Sequence, residues 1–255
     1  MDPVEHQTAG DAWREQLRRD GYVLFRGIAG DDRVRAARAA IDHDLATNFD
    51  PARQVEYDNR SFCPDIRDAP PIMSLLQDTP IRMVLDAAIG WTRLGHGTGQ
   101  IALRRARNAA APCAPEPHID GIPTPYNGLP QDVLVSNFTV LVGVYLSPVT
   151  RPFAGNFTVW PGSHHLLEQH FREHGPAALR DGMPRIALGD PVQLMVETGD
   201  AVLCHYQLAH GAAVNLSDHD RYAVYFRLWL TDIESRRWHL MTHIWDGWSF
   251  PDSAY

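Results

Sequence analysis

The sequence predicts an all-β core with an α-helical cover, arranged as an antiparallel sandwich or barrel. Strand-like runs follow one another from Gly99 to Leu230 and are separated by Gly, Pro and Asp rather than by long helices. Helical spacing of apolar residues is found mainly before residue 98. We find no internal repeat and no low-complexity linker. We therefore expect one domain over residues 1–255, with a mostly helical cover at 1–97, the β core at 98–232 and a tail at 233–255.

Composition limits the possible functions. Of the 255 residues, 44% are hydrophobic, which is enough for a proper core. The net charge is −8 without a block of basic residues, so we expect neither nucleic acid nor a membrane surface as a partner. The three cysteines are isolated, and no apolar run reaches the roughly 18 residues of a membrane span. These features favour a cytoplasmic protein acting on a small molecule, and they leave the oligomeric state open.

The first 97 residues predict helices around one short strand. Residues 11–20 are predicted to form a helix, and Tyr22–Phe25 are predicted to form a strand. Asp31 is expected to cap a second helix. Residues 47–70 lack a period and predict a loop that folds over a site, and Pro71 opens a further helix that runs to about residue 90. The second helix places apolar residues at helical spacing: Val34, Ala37, Ile41 and Leu45.

The β core is predicted from a series of runs, with one helix at residues 163–175 capped by Ser163. The run at residues 137–146 has a wholly apolar face and a mixed face. The mixed face lies either in solvent or along a pocket. The strand-like runs are GQIALRRAR, VLVSNFTVLVGVYL, GNFTVWPG, VQLMVE, DAVLCHY and RYAVYFRLWL. The mixed face consists of Asn137, Thr139, Leu141, Gly143 and Tyr145.

The tripeptide His118-Ile119-Asp120 is the main candidate for chemistry. Side chains two residues apart lie on the same side of a strand, so the imidazole and the carboxylate are directed at one point. His210 follows a separate strand-like run and supplies a possible third ligand. Two histidines and one carboxylate form the facial triad of non-haem Fe(II) oxygenases. Arg221 begins the next strand, where its guanidinium is suited to a carboxylate of a second ligand.

Other residues compete for these roles. Arg227 lies on the same strand face as Arg221 and is the alternative for binding a carboxylate. His205, on a buried strand, is interpreted as a hydrogen-bonded core residue. The run HHLLEQH contains neither HExxH nor HxxEH, so its histidines are expected on the surface of a helix. The aromatic residues of the tail are interpreted as packing over one end of the β core.

Taken together, these features resemble the phytanoyl-CoA dioxygenase family of Fe(II)/2-oxoglutarate-dependent oxygenases. The resemblance rests on the helix followed by GYVLFRG, on His118-Ile119-Asp120, on YLSPV and GNFTVWPGSHH, and on His210 with Arg221. It implies a double-stranded β-helix, a cupin-like jelly roll with the N-terminal helices packed outside.

By this resemblance, Fe(II) is held by His118, Asp120 and His210, and O₂ is the oxidant. The resemblance also implies that Arg221 pairs with the distal carboxylate of 2-oxoglutarate. Gln100 and Thr139 are weaker candidates for the co-substrate layer. Ala212 departs from the family, in which a small hydroxyl residue often stands two residues after the distal histidine.

The resemblance implies oxidation of a small molecule, most simply hydroxylation, with succinate and CO₂ as co-products. Alanine- and arginine-rich usage is typical of a high-GC bacterial genome, and it suggests natural-product tailoring. Tyr57, Arg60 and Tyr126, from the loops at 47–70 and 121–132, are candidates to meet substrate. One alternative is a metal-dependent cupin-like isomerase or hydrolase that does not use 2-oxoglutarate. A second alternative is a non-enzymatic sensor with a degenerate site.

Overall fold

Nine strands form two antiparallel sheets in the computed structural model, which describes residues 10–107 and 111–250. The strands are β1 (Tyr22–Phe25), β2 (Leu94–His96), β3 (Gln100–Arg104), β4 (Val140–Tyr145), β5 (Phe157–Val159), β6 (Val192–Gln193), β7 (Ala201–His205), β8 (His210–Ala212) and β9 (Arg221–Leu230). The larger sheet has the order β1-β7-β4-β9-β2, with β3 also paired to β9, and the smaller has the order β6-β5-β8.

Seven α-helices lie around the two sheets in the described part of the chain. They are α1 (Ala12–Asp20), α2 (Asp31–Asn48), α3 (Gln54–Asn59), α4 (Pro70–Gln77), α5 (Ile81–Ala88), α6 (Ser163–His174) and α7 (Ile233–Thr242). Apolar side chains of α1, α2, α4 and α5 share one core with the outward residues of β4 and β9, such as Val142 and Phe226. The sheet and its helices therefore bury a common hydrophobic layer, as the predicted β core with an α cover requires.

The opposite face of the larger sheet packs against the smaller sheet. Phe157 of β5 lies 5.6 Å from Tyr225 of β9, measured between ring centroids. The mixed face of the 137–146 run points into this space, and each of its members is buried. Solvent exposure of that face is therefore wrong, and its role in lining a pocket stays a prediction.

Three predicted elements need correction. Residues 47–70 are not a plain loop, because α3 and two short 3-10 turns lie within them. The helix predicted from Pro71 to about residue 90 begins at Pro70 and is divided into α4 and α5. The division falls just before Pro80, which lacks the N–H that a continuous helix needs at that position. Strand β4 begins at Val140, and the preceding Val133 and Leu134 are exposed.

Both predicted helix caps are also wrong by one residue. Gly30 and Gly162 occupy the N-cap positions, with φ of 73° and 78°, respectively. Asp31 and Ser163 are the first helical residues instead. The Ser163 hydroxyl accepts a hydrogen bond from the backbone N–H of Ala209 and so ties α6 to the approach to β8.

The C-terminal segment packs as predicted. Trp245, Trp248 and Phe250 contact one another and lie against the helix-covered core. Residues 251–255 of the predicted tail and residues 1–9 lie outside the described part of the chain. Among the described helices, none has the length and apolar character needed to cross a bilayer.

Candidate metal centre

Backbone pairing brings the two predicted histidine ligands together. His118 and His210 form an isolated antiparallel bridge, in which each backbone N–H donates to the other's carbonyl oxygen at 2.9 Å. Their rings lie 4.6 Å apart between centroids. Because Asp120 is two residues beyond His118, its side chain returns to the same side of the extended chain. The sequence-predicted triad is therefore assembled from one loop and one strand of the smaller sheet.

The donor atoms of the triad converge on one point. The Oδ1 atom of Asp120 lies 3.8 Å from Nε2 of His118 and 3.7 Å from Nε2 of His210. One ligand atom from each of the three side chains falls within 4.8 Å of the others. Metal–nitrogen and metal–oxygen bonds of about 2 Å span such separations. Two imidazole nitrogens and one carboxylate oxygen match the facial donor set of non-haem iron.

The ring of His210 is fixed in orientation. Its Nδ1 lies 2.9 Å from the carbonyl oxygen of Leu208, which assigns the proton to Nδ1 and leaves Nε2 free as a donor to a metal. The ring of Phe157 stacks on it at 5.1 Å. The side chain of His210 is 7% exposed, whereas that of His118 is 51% exposed. The centre is therefore anchored in the interior at His210 and open to solvent at His118.

Asp120 is held by an arginine that sequence reasoning assigned elsewhere. Arg227 donates from Nε and Nη2 to Oδ2 of Asp120, at 3.0 and 2.7 Å. Its Nη1 donates to Oε1 of Gln100 at 2.7 Å, and Nε2 of Gln100 donates to the Arg60 carbonyl at 2.7 Å. These hydrogen bonds engage Oδ2 of Asp120 and leave Oδ1 facing the two histidines. Arg227 is thus occupied and is not a free site for a second ligand's carboxylate.

The electrostatics favour the protonation states that a metal needs. Burial acts to raise the pKa of Asp120, but Arg227 and the two histidines hold it well below its usual value. The pKa of His118 is lowered from 6.5 to about 4, because the surrounding protein disfavours the charged ring and His210 repels it. At neutral pH the carboxylate is therefore charged and the His118 imidazole is neutral, as coordination requires.

Arg221 lies deeper in the space between the sheets. Its side chain is 2% exposed, and it donates to the carbonyl oxygens of Gly155 and Ala102. By the alternation of strand residues, it shares the interior face of β9 with Tyr225 and Arg227. The prediction that Arg221 pairs with a co-substrate carboxylate stays a prediction, and its interior position is compatible with it.

The weaker candidates have local partners. The Thr139 hydroxyl is buried and accepts from the backbone N–H of Leu230 at 3.0 Å. Gln100 contacts Asp120 only through Arg227. The assignment of both residues to the co-substrate layer stays a prediction. Tyr57 is buried between Phe49 and Phe62, and the suggestion that it meets substrate stays a prediction.

The two predicted lid segments touch each other. Arg60 donates from Nε to the Tyr126 carbonyl at 3.2 Å, and its guanidinium lies against Gly128. Because the Arg60 carbonyl also receives the Gln100 side chain, the 121–132 segment is linked to the hydrogen-bond chain that ends at Asp120.

Two histidine predictions have different outcomes. His205 is buried with Nε2 at 2.9 Å from the Ile244 carbonyl, which confirms a core role. The surface interpretation of the HHLLEQH run fails for His164, which is fully buried and packs on His205 and Trp245. The helix α6 turns His164 inward because that face meets the C-terminal aromatic residues.

Comparison with known proteins gives one family and a set of similar folds. Residues 112–223 match the family model described as phytanoyl-CoA dioxygenase (PhyH). No curated protein matches the sequence. The solved structures that resemble this chain are 18–20% identical in the three cases below, so their likeness establishes the fold alone.

The first of these structures is the non-heme alpha ketoglutarate dependent carbocyclase SnoK from nogalamycin biosynthesis. Its TM-score is 0.58 at 20% identity, over 91% of this chain and 91% of that chain. AviO1 from Streptomyces viridochromogenes Tue57 has a TM-score of 0.56 at 18% identity, over 86% and 94%. HygX from Streptomyces hygroscopicus, with nickel, 2-oxoglutarate and hygromycin B bound, has a TM-score of 0.55 at 20% identity, over 86% and 87%.

Proposed function

We propose that this chain, whose residues 112–223 match the phytanoyl-CoA dioxygenase family model, is a non-haem Fe(II)/2-oxoglutarate-dependent dioxygenase acting on a small molecule. The observation that carries the proposal is the convergence of His118, Asp120 and His210, whose ligand atoms lie within 4.8 Å of one another. Chance clusters of acidic and histidine side chains are common on protein surfaces. This one is distinguished by a backbone bridge between its two histidines and by a dedicated arginine on its carboxylate.

In this proposal each residue of the centre has a defined task. His118, Asp120 and His210 would hold Fe(II) through two imidazole nitrogens and one carboxylate oxygen. Arg227 fixes the carboxylate plane of Asp120 by two hydrogen bonds to Oδ2. Outer hydrogen bonds of this kind set the orientation of metal ligands and are nearly as important as the ligands themselves. When bound, Fe(II) and 2-oxoglutarate supply with O₂ the oxidation of a substrate C–H bond, giving succinate and CO₂.

Arg221 binds the distal carboxylate of 2-oxoglutarate in this proposal. This role is supported by the burial of the Arg221 guanidinium. Its described hydrogen bonds go to backbone carbonyls rather than to a carboxylate. A planar guanidinium can donate two parallel hydrogen bonds to one carboxylate. Burial between the sheets strengthens this interaction by excluding water. The interior face between Arg227 and Arg221 then runs from the metal end to the carboxylate end of the site.

We further infer that the two sheets form the double-stranded β-helix typical of the family, within one domain over residues 1–255. The substrate is proposed to be a natural product that is hydroxylated. The natural-product class is supported by SnoK, a carbocyclase of nogalamycin biosynthesis, and by HygX, which holds hygromycin B. Hydroxylation is proposed as the simplest oxidation that such a centre supplies. The 121–132 segment, which directly follows Asp120 and is joined to Arg60, is the proposed cover over substrate.

The test is succinate formation. Protein reconstituted anaerobically with Fe(II) is mixed with 2-oxoglutarate and O₂, and succinate is measured with and without candidate substrates. We expect Fe(II)-dependent succinate that is abolished in His210→Ala. A cupin-like isomerase or hydrolase would form none, and a degenerate sensor would also fail to bind a divalent metal at the triad.

A further inference from the structure

The space around Arg221 contains two buried phenols that lie beside each other. Among the described residues, the enclosed hydroxyls of Tyr145 and Tyr225 have no partner other than each other. Tyr145 is 1% exposed and Tyr225 is 7% exposed. Leaving a buried polar group unpaired is unfavourable, and such groups are uncommon in folded proteins. Two hydroxyls share one hydrogen bond, so one donor beside the buried guanidinium is left for a polar ligand.

The same space holds more positive charge than its surroundings balance. Arg104 of β3 stands opposite Arg221 of β9 in the strand register. The pKa of Arg104 is lowered, first by burial and then by repulsion from Arg221. Within the described ranges, neither guanidinium forms an ion pair with an acidic side chain. Buried charges are normally paired, so two adjacent cations favour an anion between the sheets.

Tyr225 is the phenol best placed to act together with Arg221. The Arg221 guanidinium lies 5.9 Å from the centroid of the Tyr225 ring. The interior positions around it, Ala102, Ala212 and Ala223, offer no side-chain donor. Arg104 and Ala212 also line a cavity of about 380 Å³ next to this region, although neither Arg221 nor Tyr225 borders that cavity.

Strand β4 provides a specific seat for the Tyr225 ring. Gly143 is the register partner of Tyr225. A Cβ atom at residue 143 would lie 2.5 Å from Cε1 of Tyr225, closer than real side chains approach. Gly143 lies in the middle of a buried extended strand, where glycine weakens the sheet. A glycine there is explained by the space that the phenol needs.

We propose that the Tyr225 hydroxyl, together with Arg221, binds the distal carboxylate of the 2-oxo acid co-substrate. This inference rests on the proposed function and deepens it, because it assigns the selection for a dicarboxylate to a named pair. The neutral phenol donates one hydrogen bond, and the guanidinium supplies charge and a second donor. Ala212 then needs no hydroxyl of its own, since Tyr225 provides the donor from the facing sheet.

The test compares two co-substrates that differ only in the distal group. Binding of 2-oxoglutarate and of 2-oxopentanoate, which has a methyl group in place of the distal carboxylate, is measured by calorimetry on Ni(II)-loaded protein. For Tyr225→Phe we expect binding of 2-oxoglutarate to weaken by about 10- to 100-fold, the range of one hydrogen bond to a charged group. Binding of 2-oxopentanoate is expected to stay within about twofold. Tyr222→Phe is the matched control on the same strand, because its ring faces outward and stacks on Arg38.

Two further measurements separate a binding role from a structural one. Thermal unfolding of ligand-free Tyr225→Phe should stay close to that of the unsubstituted protein, because the lost hydroxyl has only the Tyr145 hydroxyl as a partner there. Adding Ala212→Ser to Tyr225→Phe should restore at least part of the affinity for 2-oxoglutarate, since a new donor then faces the same space.

The results that would contradict the role of Tyr225 differ from the result that would contradict the proposed function. If 2-oxoglutarate binds the unsubstituted protein and Tyr225→Phe equally well, the role of Tyr225 is refuted. If the loss appears in Tyr145→Phe instead, the assignment to Tyr225 is wrong. A lower unfolding temperature for Tyr225→Phe, or no rescue by Ala212→Ser, also contradicts it. If neither 2-oxo acid binds the unsubstituted protein, the proposed function itself fails.

Discussion

Replacing Arg227 by glutamine removes the two hydrogen bonds that hold Oδ2 of Asp120. The structure places these contacts at 3.0 and 2.7 Å, around a carboxylate whose side chain is 16% exposed. Removing one member of a fully buried ion pair typically costs about 3–5 kcal/mol, whereas exposed pairs contribute about 0–1 kcal/mol. The Arg227 side chain is 35% exposed, so solvent screens this pair in part. We therefore expect a loss of about 1–2 kcal/mol in the free energy of unfolding of metal-free protein.

The same substitution should weaken metal binding. Without Arg227, the Asp120 carboxylate is a stronger base but no longer has a fixed orientation. Loss of outer-shell support typically lowers metal affinity by about 10- to 100-fold, so the loss of orientation is expected to dominate. The assay is a calorimetric titration of metal-free protein with Ni(II), paired with urea unfolding.

Arg221→Gln is the matched control for this prediction. It removes an arginine from the same face of β9 but leaves Asp120 untouched, so Ni(II) affinity should be unchanged while affinity for 2-oxoglutarate falls. If Arg227→Gln bound Ni(II) as tightly as the unsubstituted protein, the positioning role of Arg227 would be refuted.

Three further predictions address the ligands, the interior packing and the acid stability. Asp120→Ala should keep the fold by circular dichroism and lose at least about 100-fold in metal affinity, because a direct ligand contributes no less than its outer support; near-normal Ni(II) binding would contradict this. Gly143→Val forces a side chain against Tyr225 and should lower the free energy of unfolding by about 1–3 kcal/mol while weakening 2-oxoglutarate binding; an unchanged melting temperature would mean that the ring moves freely. His205 is buried and its pKa is lowered from 6.5 to about 4, so the unfolded chain binds a proton there that the folded chain does not. Stability should therefore fall as the pH drops from 6.5 towards 4, by about 3 kcal/mol from this residue at full extent, and His205→Gln should reduce that pH dependence in urea unfolding.

The candidate metal ligands were predictable because their signal is local. A spacing of two residues directs His118 and Asp120 to one side of an extended segment whatever the fold. His210 was found because it follows a separate strand-like run. The backbone bridge that joins His118 to His210 was not predictable, since it depends on the pairing of distant segments.

The role of Arg227 depends on register, which sequence alone does not determine. Arg221 and Arg227 share a strand face, and the alternation of side chains is the same for both. Only the pairing of β9 with β3 and β4 places Arg227 beside Gln100 and Asp120 and leaves Arg221 deeper between the sheets. The same limitation hid Tyr225, because Gly143 gains its meaning only as the register partner of that ring.

Helix boundaries failed for a local reason. The apolar pattern predicts one helix across Pro80, but the missing backbone N–H of this residue divides α4 from α5. At α2 and α6, the side chains of Asp31 and Ser163 suggested caps, but glycines with positive φ precede them and begin each helix. Apolar periodicity therefore located the helices, and backbone conformation decided where they start.

The central claim is that His118, Asp120 and His210 hold one metal ion. Anaerobic titration of metal-free protein with Fe(II), followed by calorimetry, tests it most directly. We expect the unsubstituted protein to bind one Fe(II) per chain and His210→Ala to lose that binding. Undiminished binding in His210→Ala, or no binding to the unsubstituted protein, would contradict it.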